Sequence, residues 1–329
     1  MRGKRKRADV QEFQYNLMGN ILDLNHELVV KTYKHGGYEA FKINDPKPRD
    51  IHKASVRDRL LHHAIYRILY LYFDSTFIHD SYSCRNGKGT HRAMNQLRSF
   101  AHKVSKNHTK TCWVLKCDIR KFFTSIDQEI LIQILKQHIF DKEILELLQD
   151  VIQSFHTNAN STKDNLSKAS PCSDSTSKGL PLGNLTSQLL VNIYMNELDQ
   201  YVKHILKIKQ YIRYADDFVC MHHCKNHLEE IVRYIELFLQ TKLWLELHPH
   251  KVSITTSASG VDFLGWVHFP HHRVLRTASK KRMERKLKES GYKDAVVVSY
   301  LGLLSHGNGW KLQKWIFKTK EQSPVYGSI

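Results

Sequence analysis

The 329-residue chain is long enough to bury a sizeable core, as one multi-lobed unit or as two to three subdomains. With 41% hydrophobic and 25% charged residues it has the composition of a globular protein, which excludes a fibrous or wholly disordered chain. A formal net charge of +18 suits a polyanionic partner, nucleic acid first, against the simpler reading of a generally basic surface.

Taken in order, residues 1–7 hold Arg2, Lys4, Arg5, Lys6 and Arg7 and read as a basic arm. Residues 12–30 carry apolar side chains at helical spacing: Phe13, Leu17, Ile21, Leu24 and Leu28. Residues 41–59 start as a strand and enter a Pro-containing turn with Lys47 and Arg49. A buried helix is predicted over 60–77. The Gly-rich turn over 81–93 carries Arg85, Lys88, His91 and Arg92 but lacks the GxxxxGK[ST] phosphate loop. A second helix over 91–104 leads to Val114, Leu115, Cys117 and Ile119, a short apolar strand closing at Asp118. Phe122 and Phe123 follow, and strand alternation would put them on opposite faces, with Phe122 in the core. Asp127 is the expected N-cap of a helix through Ile130, Leu131, Ile134 and Leu135. Residues 156–178 are rich in Ser, Thr, Asn, Asp and Lys and read as a polar loop.

Beyond it, GLPLGNLTSQ leads into a helix predicted from Ser187 to about Leu206. YIRYADDFVC, residues 211–220, places Asp216 and Asp217 side by side in an apolar, aromatic run. Asn226 and Glu229 form a capping box for the next helix. Lys251 lies in HPHKVSI, FLGW spans 263–266, and residues 280–288 pack six basic residues onto a predicted helix that would face a duplex backbone or simply solvent. The six cysteines include no CxxC pair. Cys220-Met-His-His-Cys224 has the spacing of a zinc half-site without a second pair. With no signal peptide and no apolar run of membrane-spanning length, a reducing cytoplasm and no membrane partner are expected.

Adjacent carboxylates repel, and burying them calls for positive charge. A hairpin whose turn happens to be Asp-Asp is the competing reading. Asp118, at the end of its own strand, allows two strands to bring three carboxylates together. Three carboxylates can hold two hard cations, the arrangement of in-line nucleotidyl transfer.

YADD, preceded by the Asp-x-x-x-Phe-Phe strand end and by GLPLGNLTSQ, resembles the three palm motifs of reverse transcriptases in their order. Leu182-Gly183-Asn184-Leu185-Thr186-Ser187-Gln188 resembles the middle motif of diversity-generating retroelement enzymes, with Leu for the usual Gln and Gln for the usual Pro. The resemblance implies an α+β right-hand polymerase with a ferredoxin-like palm, helical fingers and a short helical thumb. It implies an arm and helix over 1–40, fingers over 41–110, palm over 111–270 and thumb over 271–329. Asp118, Asp216 and Asp217 would be the catalytic metal ligands, for two Mg²⁺ with Mn²⁺ as a substitute. Lys251 would protonate the leaving pyrophosphate, with a surface lysine as the alternative. Lys47 and Arg49 would meet the incoming triphosphate, or form an ordinary solvated turn. Arg85 would lie near the template, Phe123 would exclude a 2′-hydroxyl, and Leu182, Gly183 and Gln188 would border the nascent base pair. The implied partners are template RNA, primer and cDNA, dNTPs and a small basic accessory protein. The implied product is cDNA with errors at template adenines. The alternatives are a retron, group II-like or phage-defence enzyme, or a non-catalytic RNA-binding protein on the same scaffold.

Overall fold

A computed structural model describes residues 4–44, 48–155 and 177–321. In chain order the elements are α1 (Ala8–Tyr15), α2 (Leu17–Val29), β1 (Tyr38–Ile43), β2 (Arg49–Ala54), α3 (Val56–Thr76), α4 (Thr90–Val104), β3 (Trp113–Asp118), α5 (Phe122–Ser125), α6 (Gln128–His138), α7 (Lys142–Gln153) and α8 (Leu185–Gln200). They continue with β4 (Tyr211–Tyr214), β5 (Asp217–His222), α9 (Lys225–Lys242), β6 (Ser253–Thr256), β7 (Val261–Phe263), β8 (Trp266–His268), β9 (Arg273–Leu275), α10 (Thr277–Glu289), α11 (Asp294–Leu304) and α12 (Trp310–Glu321). They divide into two units. One takes the described residues of Met1–Ile78, Ile119–Tyr201 and Glu236–Leu247; the other takes those of His79–Asp118, Val202–Ile235 and His248–Ile329.

In the first unit the β1–β2 hairpin leads into α3, whose N-cap Ser55 accepts from Asp58 N. Asp58 is fully buried and tolerable there because Tyr33 Oη donates to it at 2.8 Å and Gly36 N at 3.2 Å. α3 packs along α8, which is buried nearly all round: Leu189, Leu190, Ile193, Tyr194 and Leu198 go into the core, and Thr186, Ser187, Asn192, Asn196 and Asp199 are buried with them. Asp127 caps α6 as expected, accepting from Glu129 N and Ile130 N at 3.1 Å each.

The second unit is built on a four-stranded antiparallel sheet ordered β4-β5-β3-β6. Val114, Ile212, Val219 and Met221 pack with Ala93, Leu97 and Phe100 of α4. β7, β8 and β9 form a separate three-stranded sheet. FLGW makes its first hairpin, with Leu264 (φ 51°) and Gly265 (φ 86°) both left-handed, as a two-residue hairpin turn requires. α10, α11 and α12 close on their own core of Met283, Leu287, Val297, Leu304 and Ile316. Among the described residues no helix is long and apolar enough to cross a membrane.

Several local expectations are corrected. The helix expected over 12–30 is two, because Asn16 leaves helical geometry (φ −117°, ψ 49°) between α1 and α2. α8 starts at Leu185 rather than Ser187 and gives way after Gln200 to a π-helical turn, Tyr201–Ile205. α9 begins at Lys225, so Asn226 is inside its first turn and Glu229 pairs with Lys225 at 3.1 Å instead of capping. Phe122 and Phe123 are not on a strand: Lys121 is left-handed (φ 46°) and starts the single turn α5. Lys47 and most of the polar segment 156–178 lie outside the described residues.

Candidate active site

The acid end of the sheet is built by register. β3 ends at Asp118 and β5 begins at Asp217, and the two are directly paired across the antiparallel ladder. Like charges opposite one another on neighbouring strands repel. Asp216 sits just before, in the turn after Ala215, whose φ of 56° is left-handed without being glycine. The Asp-Asp pair is thus both a hairpin turn and a charge cluster.

Two lysines answer that charge. Lys251 Nζ lies 2.7 Å from Asp118 Oδ1, and its turn is fixed because His248 N donates to Asp118 O at 2.8 Å and Lys251 N to His248 O at 3.0 Å. Lys116 Nζ lies 3.6 Å from Asp217 Oδ2 while donating to Asp262 O at 2.7 Å. Asp217 Oδ1 is buried and has no hydrogen-bond partner among the described residues. Burial pushes the Asp217 carboxyl up to about 7; Lys116 opposes the shift, and Asp216 and Asp118 add to it. Among the described residues no three His, Cys, Asp or Glu side chains are drawn together tightly enough to cage a metal ion. The donor set still fits hard cations. It is all oxygen, one oxygen is orphaned and desolvated, and the lysine ammonium groups stand where positive charge is wanted.

Arg213, missed in the sequence, holds this turn. Its guanidinium is fully buried, donating from Nη1 to Ala215 O at 3.2 Å and from Nη2 to Ser81 Oγ at 3.2 Å. The backbone adds a bridge, with Tyr82 N donating to Arg213 O and Arg213 N to Asp80 O, both at 3.0 Å. A planar fork presents donors on separate nitrogens in fixed directions, so it can tie two acceptors that lie apart in one defined geometry, which a single ammonium nitrogen reproduces less well. Arg85, in the same unit, is half-buried and donates to Ser81 O at 3.1 Å.

The remaining predicted contacts lie in the first unit. Leu182 is half-buried in a turn and Gly183 is exposed with φ 114°. That turn is tied to β2: His52 N donates to Leu182 O at 2.9 Å, and Asn184 Nδ2 to His52 O at 3.1 Å. A Cβ on Gly183 would fall 2.8 Å from Ile51 Cγ2, so the glycine is needed for this approach as well as for its φ. Gln188 is exposed on the first turn of α8, Arg49 is exposed at the start of β2, and Phe123 is half-buried beside the buried Phe122.

Residues 42–268 match the family described as reverse transcriptase (RNA-dependent DNA polymerase). The chain belongs to that family. Its curated relatives include Protein YkfC of Escherichia coli, 26% identical over 71% of this chain and 65% of that protein. The group II intron-encoded protein LtrA of Lactococcus lactis is 23% identical over 73% of this chain and 47% of that protein. The chain therefore spans about half to two thirds of the length of these relatives. Telomerase from Candida albicans, solved in complex with a fragment of telomeric RNA, superposes with a TM-score of 0.55 at 13% identity, over 89% of this chain and 55% of that one. The fold is that of a right-hand polymerase, with mixed helix and sheet.

Proposed function

We propose that this reverse-transcriptase chain carries out RNA-directed DNA synthesis, with template RNA, primer and dNTPs as substrates. The observation carrying the proposal is the paired register of Asp118 and Asp217 with the orphaned Asp217 Oδ1. Asp118, Asp216 and Asp217 would hold two divalent cations, Mg²⁺ or Mn²⁺. When bound, such ions lower the pKa of the attacking 3′-hydroxyl and neutralise charge on the triphosphate. Lys251 can deliver a proton to the leaving pyrophosphate, since its ammonium already stands on Asp118. Phe123 excludes the 2′-hydroxyl, Lys47 and Arg49 meet the triphosphate, Arg85 meets the template, and Leu182, Gly183 and Gln188 border the base pair. Fingers over 41–110, palm over 111–270 and thumb over 271–329 belong to the same proposal, as do the basic arm and a cytoplasmic setting. Mg²⁺-dependent extension of a DNA primer on an RNA template tests it; RNA binding without extension would favour a binding protein on this scaffold.

Arg213→Met tests the turn. Loss of charge-assisted hydrogen bonds to Ala215 and Ser81 is expected to slow single-turnover extension at least about tenfold, on the scale of ~1.5–3 kcal/mol for such bonds. Arg213→Lys should recover part of the rate, because the ammonium keeps the charge and donors but not the fixed spacing of the two guanidinium nitrogens. A folded Arg213→Met protein extending at the wild-type rate would refute the role.

The finer reading is a diversity-generating retroelement enzyme that works with a small basic accessory protein, supported by Leu182 and Gln188 in LGNLTSQ. Leu182 offers the base pair packing but no donor or acceptor. Each ~1.4 kcal/mol of discrimination lost raises error about tenfold. Leu182→Gln is expected to lower misincorporation opposite template adenine about tenfold, and more than opposite the other bases, in sequenced cDNA from one RNA template. Wild-type accuracy at adenines would remove the retroelement reading and favour a second one, a group II-like enzyme, which similarity to the intron-encoded LtrA supports.

A further inference from the structure

A cavity of about 280 Å³ opens in the second unit beside Val114 and Met221. These two residues pair across β3 and β5, four residues along the ladder from Asp118 and Asp217. At ~3.3 Å per residue the cavity floor is about 13 Å from the acid end of the sheet, so it is a different site.

Its floor is apolar: Leu97, Ala101, Val114, Met221 and Val261. Its rim is cationic and imidazole-rich, with Arg98, His271, His272, Arg273 and His306 and no carboxylate. The imidazoles are arranged as stacking surfaces. His91 stacks on His306 with ring centroids 3.6 Å apart, His272 on Phe269 at 4.9 Å, and His108 meets His271 edge-on at 4.8 Å. Among the described residues they do not converge on a point as metal ligands would. Arg273 is committed to structure, donating to His306 O and to Asn95 Oδ1. Arg98, on the exposed edge of α4, has no ion-pair partner among the described residues. The positive charge of the basin is that of Arg98 and Arg273, which repel each other, and no carboxylate lines it. Burial, then His271, His102 and Arg98, hold His108 below the ordinary histidine range, and burial, His306 and Arg273 do the same to His91. A phosphate would relieve that repulsion, and aromatic rings over an apolar floor suit a base.

We propose that this cavity seats one unpaired nucleotide of an RNA strand, its base on the apolar floor and its phosphate between Arg98 and His271. The proposal rests on the reading of the chain as an RNA-handling polymerase, and it adds a contact remote from the acid end of the sheet.

The test is photocrosslinking of the full chain to a short single-stranded oligoribonucleotide carrying one 4-thiouridine, with the crosslinked peptides mapped. A crosslink within residues 269–273 or 97–101 is expected. It should fall about tenfold in Arg98→Ala/His271→Ala, while crosslinks elsewhere and extension of a primed template are unchanged. Asp216→Asn should keep the crosslink, which separates this site from polymerase chemistry. A protein that crosslinks here but extends no primer would support this site and refute the polymerase reading. Absence of the crosslink, or its persistence in the double variant, overturns the proposal. So does equally efficient competition by free UMP and by unlabelled oligomer, which would make the ligand a mononucleotide rather than a strand.

Discussion

Asp216→Asn is expected to reduce Mg²⁺-dependent primer extension by about a thousandfold or more, some 4 kcal/mol of transition-state stabilisation. The amide keeps the shape of the carboxylate and removes its charge. Asp118 and Asp217 already face each other at the end of the sheet, so the variant loses repulsion as well as ligand charge. The folded protein should therefore be no less stable than wild type in urea, while extension collapses. Rate loss with unchanged stability separates a role in chemistry from a role in folding. Near-normal extension by Asp216→Asn would sink the assignment of this acid cluster as the reacting centre.

The features legible in the sequence are those whose cause is local. Val114, Leu115 and Cys117 are fully buried, and a strand of such residues ending in one acid announces both its burial and the exception. Asp127 caps its helix through its own side chain within three residues. What was illegible depends on distant partners or on backbone geometry without a residue signature. Lys251 reaches Asp118 across 133 positions and Arg213 reaches Ser81 across 132, so neither pair has any periodicity to reveal it. Arg213 looks like an interruption of an apolar strand until its acceptors, Ala215 O and Ser81 Oγ, are known. The helical turn at Phe122 depends on a left-handed Lys121, a conformation lysine does not advertise. The two parts of the middle motif differ in the same way. Gly183 could be read as a backbone necessity, whereas the grip of His52 on Leu182 O joins β2 to a turn far along the chain.

Asp217 gives the acid end of the sheet a measurable price in stability. With water four-fifths excluded from its side chain and one oxygen unpaired, its folded-state pKa is about 7 against an ordinary 3.8. The folded protein therefore holds this proton more tightly than the unfolded chain. Well below pH 3.8 both states are protonated and the site costs nothing. As pH rises through the interval between 3.8 and about 7 the unfolded chain ionises first, and folding stability falls; above 7 the penalty is fully present. The rise from 3.8 to about 7 sets an upper scale of ~4 kcal/mol, which residual water access reduces to about 2–3 kcal/mol. Asp217→Asn, measured in EDTA by urea unfolding, should be more stable than wild type by that amount at pH 8 and by only about a quarter of it at pH 4.5, while being inactive in extension. Divalent cation should stabilise wild type more at pH 8 than at pH 5, because only the ionised carboxylate can accept it, and should leave Asp217→Asn little changed. A variant less stable than wild type at pH 8 would mean that Lys116, 3.6 Å away, already neutralises Asp217 in the folded protein and that the carboxylate is a structural ion pair.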